Sequence, residues 1–150
     1  MIKWITMHEW AGVQHPGEEQ GHSSWKTLDE RGREYERQLD EIRDRLPPDL
    51  LQADQHLHDA ELLEVCCRSA VHELQLTVQT YDGKSERWLF QGVSEHRIIN
   101  HRVELSGPPG FGHLGYSEIE IAEGGFSIAI LCSSGIEIVV VATGFHLIPD

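Results

Sequence analysis

Ten histidines and 25 acidic side chains are the groups in this 150-residue chain best suited to chemistry. The densest set is His56-Leu57-His58-Asp59. On an extended segment His56 and His58 point the same way, so they could share a metal with a third ligand from elsewhere. The spacing matches no zinc signature, however, and no Cys pair or His-Glu-x-x-His helix accompanies it. The competing reading is structural. Asp59 would accept backbone N–H bonds where the first strand begins, and His58 would fix the loop leading into it. The sequence therefore predicts no structural metal, no cofactor and a mainly structural role for His58 and Asp59. If the chain has a ligand site, His58, Asp59 and His113 are its candidates. No residue is assigned a catalytic role.

The other reactive side chains are less organised. His8, His15 and His22 are seven apart, but Pro16 and Gly17 interrupt them, so they share no helix face. His101 lies among Ile99, Val103 and Leu105, where a hydrogen-bonded core histidine is expected rather than a general base. Ser69, Ser94 and Ser106 lack the Gly-x-Ser-x-Gly context of a hydrolase nucleophile. Three cysteines cannot build a disulfide framework. Cys66 and Cys67 point to opposite faces of a strand, and all three read as buried free thiols, which suits a reducing cytoplasm. The glycine- and proline-rich loop 106–115 lacks the Gly-Lys-Ser/Thr of a phosphate loop. It reads as a stiff connector, or else as a contact loop carrying Phe111 and His113.

Two kinds of element must position these residues. From Trp25 to Leu46 the apolar positions are 25, 28, 35, 39, 42 and 46, with Gly32 in the one gap. That stripe predicts an amphipathic helix over 25–46, capped by Ser23 or Ser24 and ended by Leu46-Pro47-Pro48. A stripe this short favours packing on the protein's own sheet over a dimer seam. Met1–Ile5 could form a short strand, after which Gly12, Pro16, Gly17 and Gly21 break regular structure. From Ala60 the period changes to two, with turns at Asp82-Gly83, Gly124-Gly125 and Ser133-Ser134-Gly135. One strand is expected over 97–105, with Ile99, His101, Val103 and Leu105 on one face. The last, 136–141, is apolar on both faces after Glu137 and should be central, with the long helix covering its second face.

The fold class expected is α+β. An antiparallel sheet of seven or eight strands, curled or sandwich-like, carries one long N-terminal amphipathic helix. A single domain spans 1–150, with 1–58 mostly helical and 59–150 β. The formal net charge of −13 opposes nucleic-acid backbones and anionic membranes and suits a basic protein partner. No apolar run reaches the roughly 20 residues of a membrane span, and the N-terminus lacks a signal-peptide core.

Leu57–Ala60, Phe90-Gln91-Gly92-Val93 and Tyr116-Ser117-Glu118-Ile119, with Arg-Leu-Pro-Pro-Asp-Leu after the helix, carry a resemblance. The chain looks like a group of small uncharacterised bacterial proteins that share a Leu-His-Asp-Ala lead-in to a β domain. Some proteins of that appearance sit beside toxins as immunity proteins. The resemblance implies the α+β fold and a non-enzymatic, protein-binding role, as an immunity-type inhibitor of a basic toxin. The rival expectation is a small enzyme or ligand-binding domain that uses His58 and Asp59.

Overall fold

The computed structural model describes residues 3–7, 9–10, 18–102 and 110–150, the side chains of 18–24 excepted. Among the described residues, Met7, Glu9 and Trp10 are helical, and two longer helices then precede eight antiparallel strands. Helix α1 spans Glu18–Ile42 and α2 spans Pro48–Gln55. The strands are β1 Glu61–Arg68, β2 Glu73–Gln79, β3 Ser85–Gln91, β4 Glu95–Asn100, β5 Leu114–Ala122, β6 Gly125–Cys132, β7 Ile136–Ala142 and β8 Gly144–Pro149. They form two four-stranded sheets, ordered β1-β2-β3-β8 and β4-β7-β6-β5, and neither closes on itself. No helix among the described residues is long and apolar enough to cross a membrane.

Helix α1 begins seven residues before the predicted start, so Gly21 and Ser23 lie within it rather than before it. It ends at Ile42, and Arg43–Arg45 tighten into a 3-10 turn. Leu46 is already extended, at φ −100° and ψ 149°, because the following proline disfavours helical backbone there. The stripe is buried at Leu28, Tyr35, Leu39 and Leu46, but Trp25 is 56% exposed. The segment read as a strand at 1–5 is not one over its described part: Lys3–Ile5 form a bend.

Period-two patterning sets the sheets. Leu74, Leu76, Trp88 and Phe90 of one sheet join Ile128, Ile130, Ile138 and Val140 of the other in a single buried cluster. Phe90 and Phe126 meet across it with ring centroids 6.4 Å apart. Strand β7 lies between β4 and β6, which explains its apolar character on both faces. The main sheet contact of α1 is nevertheless with β5. Strand β4 stops at Asn100, short of the predicted 105, and Val103 and Leu105 lie outside the described residues. His101 is half-buried. Its Nε2 lies 2.6 Å from Oε2 of buried Glu137, a hydrogen-bonded histidine as its apolar neighbours suggested. Cys67 is exposed, against expectation, because β1 is an edge strand; its Sγ lies 3.7 Å from Nε2 of His96. Cys132 is buried, and burial pushes its thiol up to about 12.

Strands β5 and β8 are edges, and an edge exposes backbone donors that need partners. Side chains of the helices supply them. Ile119 N–H of β5 donates to Tyr35 Oη of α1 at 2.8 Å. Leu147 N–H of β8 donates to Asp49 Oδ2 of α2 at 3.0 Å. Helix α2 also reaches β5, where Ser117 Oγ–H donates to Asp54 Oδ1. It therefore bridges the two sheets along one side, with Leu50 and Ala53 turned into the core.

Tyr35→Phe keeps the ring and deletes the acceptor for a buried N–H. It should lower stability in urea unfolding by about 1–3 kcal/mol. A change indistinguishable from zero would show that Ile119 N–H finds water instead.

Candidate functional site

A concavity of about 710 Å³ lies beside β5 between two points where that edge is covered. On one side, Leu114 exchanges backbone bonds with the α2–β1 connection: Asp59 N–H donates to Leu114 O, and Leu114 N–H donates to Ala60 O. On the other, Tyr35 covers Ile119. Gly115, Tyr116 and Ser117 floor the cavity between them. Residues of α1 line it, with Asp54, Leu57 and His58 from the α2–β1 region and Ile5 and Trp10 from the N-terminal segment.

Two glycines shape this space. Gly32 occupies a position in the α1 stripe where a large apolar residue is expected, and a β-carbon placed there would meet nothing within 4 Å. The missing side chain leaves room on the wall. At Gly115 the reverse holds, since a β-carbon would come within 2.1 Å of Trp10 Cζ2. The Trp10 ring therefore rests directly on the strand backbone. Tyr35 and Tyr116 meet edge to face, with centroids 6.2 Å apart.

The charged groups are asymmetric. Arg33 Nη2 is held by Asp29 at 2.5 Å on the helix surface. Asp54 is half-buried; burial raises its carboxyl above the ordinary value, and the nearby Glu36 charge adds to the rise, against the Ser117 hydrogen bond and Arg43. The Tyr35 phenol is raised by burial and by the Asp54 charge. Burial and Glu118 raise Tyr116 in the same sense, so both phenols stay protonated.

The N-terminal wall is held by Glu118, on the β5 face opposite Ser117 and Ile119. Its carboxylate accepts N–H bonds from Lys3, Trp4 and Ile5 at 2.6, 2.7 and 3.0 Å, and the Tyr116 hydroxyl donates to it at 3.1 Å. These donors have no ladder partner, which is why this segment needs no strand pairing to be ordered. Thr6 and Glu9 then exchange the bonds of a capping box: Thr6 N–H and Oγ1–H donate to Glu9 Oε2, and Glu9 N–H donates to Thr6 Oγ1. Arg31 of α1 pairs with Glu9 and donates to Trp4 O. Against partial burial, the Thr6 bonds and Arg31 lower the Glu9 carboxyl. The Thr-x-x-Glu spacing was a legible signal for this turn; nothing local marks Glu118 as its anchor.

His58 and Asp59 pair with each other, Nδ1 to Oδ2 at 3.0 Å, with side chains 80% and 61% exposed. His58 lines the large cavity and also a smaller one of about 260 Å³ beside His56 and Glu86. His113 lines neither; it is exposed, bridged to Glu61, and its N–H donates to Ser133 Oγ at 2.8 Å. The three candidates do not converge. His56 turns instead to buried Glu86, Nδ1 to Oε1 at 3.0 Å, and Glu86 also accepts from Trp88 Nε1 at 3.1 Å. Among the described residues no group of three or more His, Cys, Asp or Glu is arranged to hold a metal. The described part of the glycine-rich loop ahead of β5, 110–113, is tied to neighbouring elements: Gly112 O accepts from Leu62 N–H at 3.1 Å, and His113 O accepts from Ser133 N–H at 2.8 Å.

No family model matches the chain, and no curated protein matches it.

Asp59 has the left-handed φ of 61°, and its backbone, rather than its carboxylate, makes the bond to Leu114. Asp59→Gly should therefore be tolerated, while Asp59→Ala, which keeps a β-carbon in that region but loses the short polar side chain that eases it, should cost about 1–2 kcal/mol. Equal losses in both variants would return the role to the carboxylate. For Asp54 the folded carboxyl lies above its unfolded value of 3.8, so the ionised form costs stability at high pH and the cost is gone below both values. Asp54→Asn should melt above the parent protein at pH 7, and the gap should close as the pH falls below 3.8. A gap that widens in acid would reverse the sign.

Proposed function

We propose that this chain is a non-enzymatic binding module of the immunity type, acting on a basic protein such as a toxin domain. The observation that supports it is where the acidic excess lies. Among the described residues the buried acids are Glu86, Glu118 and Glu137, and each has a donor or a histidine against it. The other described carboxylates lie exposed or half-buried, against few bases, in a chain of net charge −13. Such a field speeds the approach of a basic surface and opposes nucleic acid. We read the two sheets as a sandwich, from the core they share, and the chain as a cytoplasmic protein without a cofactor.

A second reading, a small enzyme or ligand-binding domain using His58 and Asp59, draws on the place of His58 at the wall of the large cavity. Asp59 lies beside His58 rather than on that wall, and His113 is elsewhere, so this reading has a pocket without its three proposed groups.

Affinity capture from the native cell, with every retained protein identified, tests the first reading. A basic partner should be held at about 0.15 M salt and lost near 1 M, as the Debye length falls from roughly 8 to 3 Å. A partner that is acidic, or held equally at both, would overturn it. Turnover in a hydrolase screen that is lost in His58→Ala would favour the second reading.

A further inference from the structure

We infer that the cavity at Gly32 is a receptor for one arginine side chain presented by the protein's partner. Its size, about 710 Å³, falls within the range of ligand sites and exceeds what one side chain fills, leaving space for the flanking backbone. The chemistry of its walls is specific. Trp10, Trp25 and Tyr116 offer aromatic surface beside the buried Tyr35, and Asp54 and Glu36 offer carboxylates next to the paired Asp29 and Arg33. A planar cation with an apolar stem is the group that uses both, stacking on rings while its N–H groups meet a carboxylate. Arg33 also lines the cavity, but it is paired at 2.5 Å with Asp29, a lining residue too, so that cation is engaged by its own helix neighbour rather than by Asp54 or Glu36.

The cavity is also built at a cost to the fold. Glycine inside a helix is less favourable than alanine, and here the position has open space for a larger residue. Asp54 is kept in a half-buried place beside another acid, an arrangement that an incoming cation relieves. Trp25, the one member of the apolar stripe left 56% exposed, stands at the rim, where a bound side chain would cover it.

This inference rests on the reading of the chain as a binder of a basic protein, and its test separates the two. The probe is a blocked Gly-Arg-Gly peptide, followed by calorimetry and by the fluorescence of Trp10 and Trp25, with the Gly-Lys-Gly and Gly-citrulline-Gly peptides beside it. The arginine peptide should bind at millimolar concentration or below. Lysine should bind about tenfold more weakly or worse, and citrulline, the neutral isostere, should not bind. Gly32→Leu should fill the space, raise the melting temperature and abolish the signal, while Asp54→Asn, which keeps the Ser117 acceptor, should weaken it about tenfold or more. No binding of the arginine peptide, equal binding of citrulline, or binding that survives Gly32→Leu would overturn the inference. If a basic partner is captured equally by the Gly32→Leu protein, the cavity assignment fails while the basic-partner reading stands. Loss of salt-sensitive capture in the parent protein would instead fail the broader reading.

Discussion

A sheet that does not close leaves a row of backbone donors and acceptors at each edge, and those groups cannot be buried bare. Much of the arrangement around β5 and β8 answers that constraint. Tyr35 reaches from α1 to the Ile119 N–H, and Asp49 reaches from α2 to the Leu147 N–H. The connection from α2 to β1 pairs with Leu114. Helix placement thus follows from edge chemistry as much as from apolar burial. It also explains why α1 meets the sheet at β5, an edge, and not at the central strand β7.

Carboxylates serve the same end elsewhere. Glu118 gathers three consecutive backbone N–H groups and a phenol, so an irregular segment is ordered without a strand partner. Glu86 and Glu137 each take a histidine contact from another part of the chain. Buried acids of this kind are tolerable because several donors compensate the lost hydration. They are structural, which leaves the remaining acidic excess for the surface.

The cavity is the region of β5 that this covering leaves open. It exists because α1 carries Gly32 where its stripe calls for bulk, and because Trp10, brought in by the Glu118 anchor, lies against Gly115. Fold and site are therefore one construction. The side chains that cover the edge on either side also define the walls, and changes in Glu118 or Tyr35 would act on both.

Periodicity along the chain was enough to establish the α+β class, the helix, the antiparallel strands and their turns, because these depend on neighbours two to four residues apart. The break before Pro47 and the interior position of β7 were legible for the same reason, the one from backbone sterics and the other from apolar residues on successive positions. Local reading placed the start of α1 too late, since Gly21 looks like a breaker until the rest of the helix supports it. It made Asp59 a capping side chain, whereas the tertiary structure uses its left-handed backbone. Nothing near Glu118 in sequence shows that Lys3–Ile5 lie across it. The cavity could not be read at all: its walls come from residues 5, 10, 25–36, 54–58 and 115–117. Only the folded chain brings those segments together, because edge coverage is a contact between elements far apart in sequence.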